Sequence, residues 1–205
     1  MIETIDECIA LPVGEIALIR PRDAEALLTE ESFEREEFLP YWAELWSSSI
    51  ALAHDVARRS LRGARVLELG CGLGLPSLAA ALAGGRVLAT DWSPDAVRAV
   101  SENARRNDVR LETAVVSWRE PRPIVEAAPW RYVIASDVLY ERRNVGVLLE
   151  LLPRLVDDAS EVLIADPQRA PAEEFLDRAA ERWQVRTTGS SRSQRTRIHR
   201  LRLAR

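Results

Sequence analysis

The hydrophobic period of the chain switches back and forth, and each switch marks an element. "ARVLELG" (64–70) is a nearly continuous apolar run, the pattern of a strand buried on both faces. "LPSLAAALAG" (75–84) reads as a helix closed by Gly84-Gly85. "RVLATDW" (86–92) repeats the strand pattern, after which Ser93 offers an N-cap and Pro94 a first helical residue. A helix over "PDAVRAVSENARRN" follows from its helical apolar spacing. Strands are then predicted at "RLETAVV" (110–116), "RYVIASDVLY" (131–140) and "SEVLIADP" (160–167), with helices at 144–156 and 171–183. Two further strands, "WQVRTTG" (183–189) and "TRIHRLRLA" (196–204), are joined by the polar "SSRSQ".

Strands alternating with helices demand crossovers, hence a parallel sheet covered on both faces. The final pair has no helix between its strands, so it is expected as antiparallel neighbours at one edge. Ahead of this α/β core, at 61–205, residues 1–60 read as an accessory of a single domain. They comprise a hairpin around Gly14 ("CIALPV" and "EIALIR"), an acidic connector, and the helix "YWAELWSSSIALAHDVARR".

A chain of 205 residues suffices for one such domain and does not require two. The start "MIETIDECIALPVGE" lacks the basic residues and unbroken apolar run of a secretory signal, and no uncharged stretch suits a membrane span. Cys8 and Cys71 stand without a histidine cluster, which argues against a disulfide scaffold and a structural metal site. A cytoplasmic protein is the expectation. The net charge of −4 is uneven: Glu25, Glu30, Glu31, Glu34, Glu36 and Glu37 crowd the connector, while the residues from Arg182 onward carry arginines and no acid. No lysine occurs anywhere. An alternating Arg strand reads as a solvated edge face, which argues against nucleic acid as a partner.

Candidate chemistry centres on Gly70-Cys71-Gly72-Leu73-Gly74, at the carboxyl end of the first core strand, where open parallel sheets bind ligands. A phosphate-binding loop ends in Gly-Lys-Ser/Thr, and the chain has no lysine. A nicotinamide site wants Gly-x-Gly-x-x-Gly, and counted from Gly70 the last place falls on Leu75. An S-adenosylmethionine site remains, in which the turn packs against the methionine part of the cofactor. Glu68, one residue removed from the first glycine, is placed to face the ligand's ammonium. Asp91, ending the second core strand, can accept from both ribose hydroxyls, although an acid there also suits a nicotinamide ligand.

The stretch "VLELGCGLGLPSLAAALAGGRVLATDWSPDAV" resembles the cofactor-binding half of the class I, seven-strand, S-adenosylmethionine-dependent methyltransferases. "YWAELWSSSIALA" (41–53) and "SDVLYE" (136–141) resemble the aromatic helix and the Asp-x-x-Tyr motif of the methyltransferase-like family 16 lysine methyltransferases. "ADPQR" (165–169) is similar to the Asp-Pro-x-Arg element of the branch acting on the electron-transfer flavoprotein β-subunit. The resemblance implies a Rossmann-like class I fold with a seven-stranded sheet. It further implies that S-adenosylmethionine is bound, and its product S-adenosylhomocysteine released, by Gly70, Gly72, Gly74, Glu68, Asp91, Trp92 and Trp46. Ser136, Ser117 and Trp118 belong to the same set; many relatives have an acid before that tryptophan, where this chain has Ser117. Asp137 and Tyr140 are the implied catalytic pair, and Tyr41, Trp42, Asp166 and Arg169 the implied substrate contacts. The residues 1–60 then close the substrate side.

In-line methyl transfer depends mostly on positioning and needs no metal. A lysine acceptor, with an ordinary pKa of about 10.4, must first lose a proton, and a desolvated aromatic mouth favours that loss. Methylation of a protein lysine is therefore expected. A small amine acceptor and a catalytically silent cofactor-binding protein remain alternatives. A nucleic-acid methyltransferase is disfavoured, because "SDVLY" stands where an Asn-Pro-Pro-Tyr-like element would follow the fourth core strand.

Overall fold

The structure, a computed structural model, describes residues 3–24, 27, 40–190 and 195–204. The acids of the connector, Glu25, Glu30, Glu31, Glu34, Glu36 and Glu37, and most of the "SSRSQ" link lie outside the described residues. A two-stranded hairpin, β1 (Thr4–Leu11) and β2 (Gly14–Pro21), comes first. After the 3-10 turn Tyr41–Ala43 and helix α1 (Ser47–Val56), strands and helices alternate. They are β3 (Arg65–Leu69), α2 (Leu75–Leu82), β4 (Arg86–Asp91), α3 (Pro94–Arg106), β5 (Glu112–Val115), α4 (Arg122–Glu126) and β6 (Tyr132–Ser136). Then come α5 (Arg142–Leu151), β7 (Glu161–Asp166), α6 (Ala170–Ala179), β8 (Trp183–Gly189) and β9 (Arg197–Leu203).

Seven strands form one sheet in the order β5-β4-β3-β6-β7-β9-β8, and β9 runs antiparallel to both of its neighbours. The order reverses between β3 and β6, which leaves a crevice at the carboxyl ends of those strands. Side chains alternate between two cores. Leu67, Leu69, Val133 and Ile164 face α4, α5 and α6, whose Ile124, Leu148 and Phe175 are fully buried. Val66, Ile134, Leu163 and Ala165 face α1 and α2, together with Ile16 and Leu18 of the hairpin. Burying each such large side chain contributes roughly 1.5–3 kcal/mol. Among the described residues no helix is long and apolar enough to cross a membrane.

Three local expectations change. The helix expected over 41–59 breaks: after the 3-10 turn the chain runs extended, and Trp46, at φ −73° and ψ 144°, precedes the first turn of α1. Its indole N–H donates back to the Tyr41 carbonyl at 2.9 Å, which fixes the corner. The strand expected over 131–140 stops at Ser136 because Asp137 takes a left-handed backbone, φ 56°. The helix α1 is part of the layer that covers the sheet rather than a separate accessory, for it packs against β6, β7 and β9 and alongside α2.

The arginines of β9 also differ from a plain solvated face. Arg200 pairs with Asp55 of α1 at 2.8 Å and Arg202 with Glu161 of β7 at 3.2 Å. Arg59 joins the same two acids, at 2.8 and 2.6 Å. His199 is buried, its Nδ1 2.9 Å from the Thr187 hydroxyl, and burial pushes it down to about 4.

Candidate functional site

The glycine turn leaves β3 and enters α2 through three left-handed residues, Gly70, Gly72 and Gly74, at φ 68°, 51° and 80°. Each is also pressed by a neighbour. A Cβ at Gly74 would lie 2.7 Å from both Val100 methyls, one at Gly72 3.2 Å from the Trp42 carbonyl, and one at Gly70 3.3–3.4 Å from Val138 and Trp118. The turn therefore holds helix α3 and the segment before α1 as well as any ligand. Cys71 inside it is buried, and burial pushes its thiol well up, which disfavours the thiolate.

Two carboxylates flank the turn. Asp91, at the end of β4, accepts from the Gly72 and Ser93 amides, both at 3.0 Å, and burial raises its pKa. Glu68 is fully buried on β3, where Ser77 of α2 donates to its Oε2. Its Oε1 has no partner, and burial lifts the group to about 8. A groove of about 1340 Å³ opens beside Gly70 and is lined by Trp92, Val116, Ser117, Trp118 and Tyr140. Trp92 is half exposed. Ser117 accepts from the Arg119 amide, and Ser136 ends β6 beside Ala165 of β7.

A second cluster adjoins the groove through Tyr140, whose ring lies 5.7 Å from that of Tyr41; Tyr41 in turn lies 6.1 Å from Trp46. Tyr41 and Tyr140 are exposed, and burial of the Tyr140 hydroxyl raises its pKa. Next to them Asp137 accepts from Arg169 Nε at 2.5 Å through Oδ1 and from Ser48 Oγ at 3.1 Å through Oδ2. The Arg169 guanidinium, 5.9 Å from the Trp46 ring, is held further up by its bond to Asp137. Its amide donates to Asp166 Oδ1 at 2.8 Å, while Asp166 Oδ2 is buried without a partner, and burial lifts this acid to about 6. Trp42 meets the glycine turn through its main chain, whereas Tyr41 and Trp46 sit by Arg169 and Tyr140.

Ser48, Ser77 and Asn103 are partners that the sequence pattern does not announce. Each becomes legible only when a distant element brings a carboxylate or carbonyl against it.

A purine can lie against the half-exposed Trp92 and the partly buried Trp118, both of which line the groove, and an ammonium can satisfy the unpartnered Glu68 oxygen; these residues fit S-adenosylmethionine. The sheet order, the switch point and the glycine turn together define the class, an α/β fold of the S-adenosylmethionine-dependent methyltransferase type. Magnesium protoporphyrin IX methyltransferase from Synechocystis, solved with bound SAM, superposes with a TM-score of 0.58 at 18% identity, over 88% of this chain and 95% of that one. The sequence model of the lysine methyltransferase family matches residues 38–182, and the chain belongs to that family. The electron transfer flavoprotein beta subunit lysine methyltransferase of Xenopus laevis is 33% identical over 138 residues, 64% of this chain and 54% of that protein. Protein N-lysine methyltransferase METTL21A of Danio rerio is 26% identical over 151 residues, 70% of this chain and 69% of that protein. The chain thus spans about half the length of the Xenopus relative.

Proposed function

We propose that this protein is an S-adenosylmethionine-dependent N-methyltransferase whose acceptor is a lysine side chain of a protein. The observation that carries the proposal is the pairing of a cofactor-type groove with a mouth of Tyr41, Trp46 and Tyr140 over the Asp137–Arg169 pair. When bound, S-adenosylmethionine supplies an electrophilic methyl on a sulfonium sulfur. Glu68 receives the ammonium, Asp91 the ribose hydroxyls, and Trp92 and Trp118 border the purine. The glycine turn, with Ser117, Ser136 and Trp46, completes that side.

The acceptor amine enters between the aromatic rings, which strip water from it and favour its neutral form. Asp137 then acts by position. Both of its oxygens already accept a hydrogen bond, and its left-handed backbone aims it across the end of β6. Arg169 and Ser48 keep the carboxylate still, so that it orients the amine without a conformational search. Asp166 buttresses Arg169 through the arginine's amide. Unpaired Cys8 and Cys71 fit a reducing, cytoplasmic setting.

The test combines binding and transfer. Asp137→Asn should retain S-adenosylhomocysteine affinity by calorimetry and lose methyl transfer by two orders of magnitude or so. With radiolabelled S-adenosylmethionine and a host lysate, wild type should label a discrete protein on lysine. Label confined to small molecules refutes the protein acceptor, and tight cofactor binding without label refutes the enzyme.

A further inference from the structure

Asn103 in the last turn of α3 and Asn107, which caps its carboxyl end, stand four residues apart and so share one face. Asn103 is fully buried. Its Oδ1 accepts from the Ile19 amide at 2.7 Å, and its Nδ2 donates to the Leu73 carbonyl at 3.1 Å and the Ile19 carbonyl at 3.4 Å. Asn107 does the same one step along β2. It accepts from the Ala17 amide at 2.8 Å and donates to the Ala17 carbonyl at 2.7 Å. The two side-chain amides therefore replace a neighbouring strand on the edge of β2 that β1 leaves open.

Of the two, Asn103 alone reaches the glycine turn, for the second acceptor of the Asn107 Nδ2 is the Asn103 carbonyl of its own helix, at 2.7 Å. Leu73 lies between Gly72 and Gly74, and Gly74 rests on Val100, one turn earlier on the same helix. Helix α3 thus grips the glycine turn at two points, by packing through Val100 and by a hydrogen bond through Asn103. The hydrogen-bond point is also where the hairpin is fastened. A carbonyl held at Leu73 restricts rotation of the peptide between two glycines, where the backbone is otherwise least constrained.

We propose that Asn103 is a positioning residue for the cofactor turn, and that through it the β1–β2 hairpin, which lies outside the reacting groups, sets cofactor affinity. The proposal rests on the reading of the turn as the S-adenosylmethionine site. Coupling of this kind is reciprocal: if the hairpin tightens the turn, the ligand must tighten the hairpin to the same extent.

Two variants separate this role from ordinary support. Asn103→Asp keeps the acceptor for the Ile19 amide and sets an oxygen against the Leu73 carbonyl. Asn107→Asp makes the matching change at the Ala17 carbonyl and at the Asn103 main-chain carbonyl, and leaves the side-chain bond from Asn103 to Leu73 in place. Both should lower the melting temperature. Asn103→Asp should weaken S-adenosylhomocysteine binding by about tenfold or more, and Asn107→Asp by less than about threefold. Equal weakening by both, or wild-type affinity in Asn103→Asp, overturns the proposal. Hydrogen exchange on the wild type reads the reciprocal effect even where a variant fails to fold. Saturating S-adenosylhomocysteine should slow exchange across residues 14–21, and unchanged exchange there overturns the proposal. A wild type that binds no S-adenosylhomocysteine instead removes the reading of the turn on which the proposal rests.

Discussion

Glu68→Gln is expected to make the ligand-free protein more stable at alkaline pH while crippling cofactor binding. The side chain is fully buried, bonded through one oxygen only, and lifted by burial from 4.5 to about 8. For an acid raised in the folded state, stability is fully present below the unfolded pKa and is lost as pH climbs through the folded one. The window therefore runs from about pH 4.5 to 8. At about 1.36 kcal/mol per pH unit, the wild type loses roughly 4–5 kcal/mol across it. Glutamine carries no such charge, but it buries an amide donor at a cost of about 1–3 kcal/mol. The variant should therefore be the less stable protein near pH 5 and the more stable by about 2 kcal/mol at pH 8, roughly 4–8 °C in melting temperature. Thermal unfolding of both proteins from pH 5 to 8, without ligand, measures the difference. A difference that does not change with pH refutes the burial argument. Calorimetry extends it. If the unpartnered oxygen takes the ligand's ammonium, binding at pH 7 should release close to one proton, read from buffers of different ionisation enthalpy, and no release removes that role.

Gly74→Ala should cost about 2–4 kcal/mol in urea unfolding, from the collision with Val100 and the left-handed backbone; adding Val100→Ala should restore only the packing share. Asp55→Ala takes the acid from Arg200 and one of the two acids from Arg59, both partly exposed, and should lower stability by about 1–3 kcal/mol, with the gap narrowing in 1 M salt. His199, held down near 4 by burial, makes the fold lose stability as pH falls from 6.5 toward 4, by up to roughly 3 kcal/mol. Melting of His199→Gln at pH 7 and 4.5 should show that loss removed, and an equal acid loss in both proteins refutes it.

Much of this was legible in the chain. Strands buried on both faces announce themselves as apolar runs, and Ser93-Pro94 marks the start of α3, where the Ser93 hydroxyl indeed accepts from the Ala96 amide. Glu68 and Asp91 were readable because a carboxylate inside or at the end of an apolar strand is conspicuous. What stayed hidden depends on distant partners. The corner at Trp46 is fixed by a bond back to Tyr41, and the end of β6 by the backbone of Asp137, which no period reports. Helix α4 is too short to show a period. The arginines of β9 look solvated in sequence because their acids sit on α1 and β7, far along the chain.

The place of β9 in the sheet has a consequence for biosynthesis. It follows every other described strand in sequence, yet it lies inside the sheet, between β7 and β8. Until it emerges, β7 offers an open edge along the apolar Val162–Ala165, and β8, though made earlier, has nothing to pair with. Helix α1, made long before β9, waits for Arg200 to reach Asp55. A nascent chain stopped before Arg197 thus carries an aggregation-prone edge that runs from Val162 to Asp166, the register partner of Arg197. The sheet that carries the mouth closes on that side only once β9 has been made.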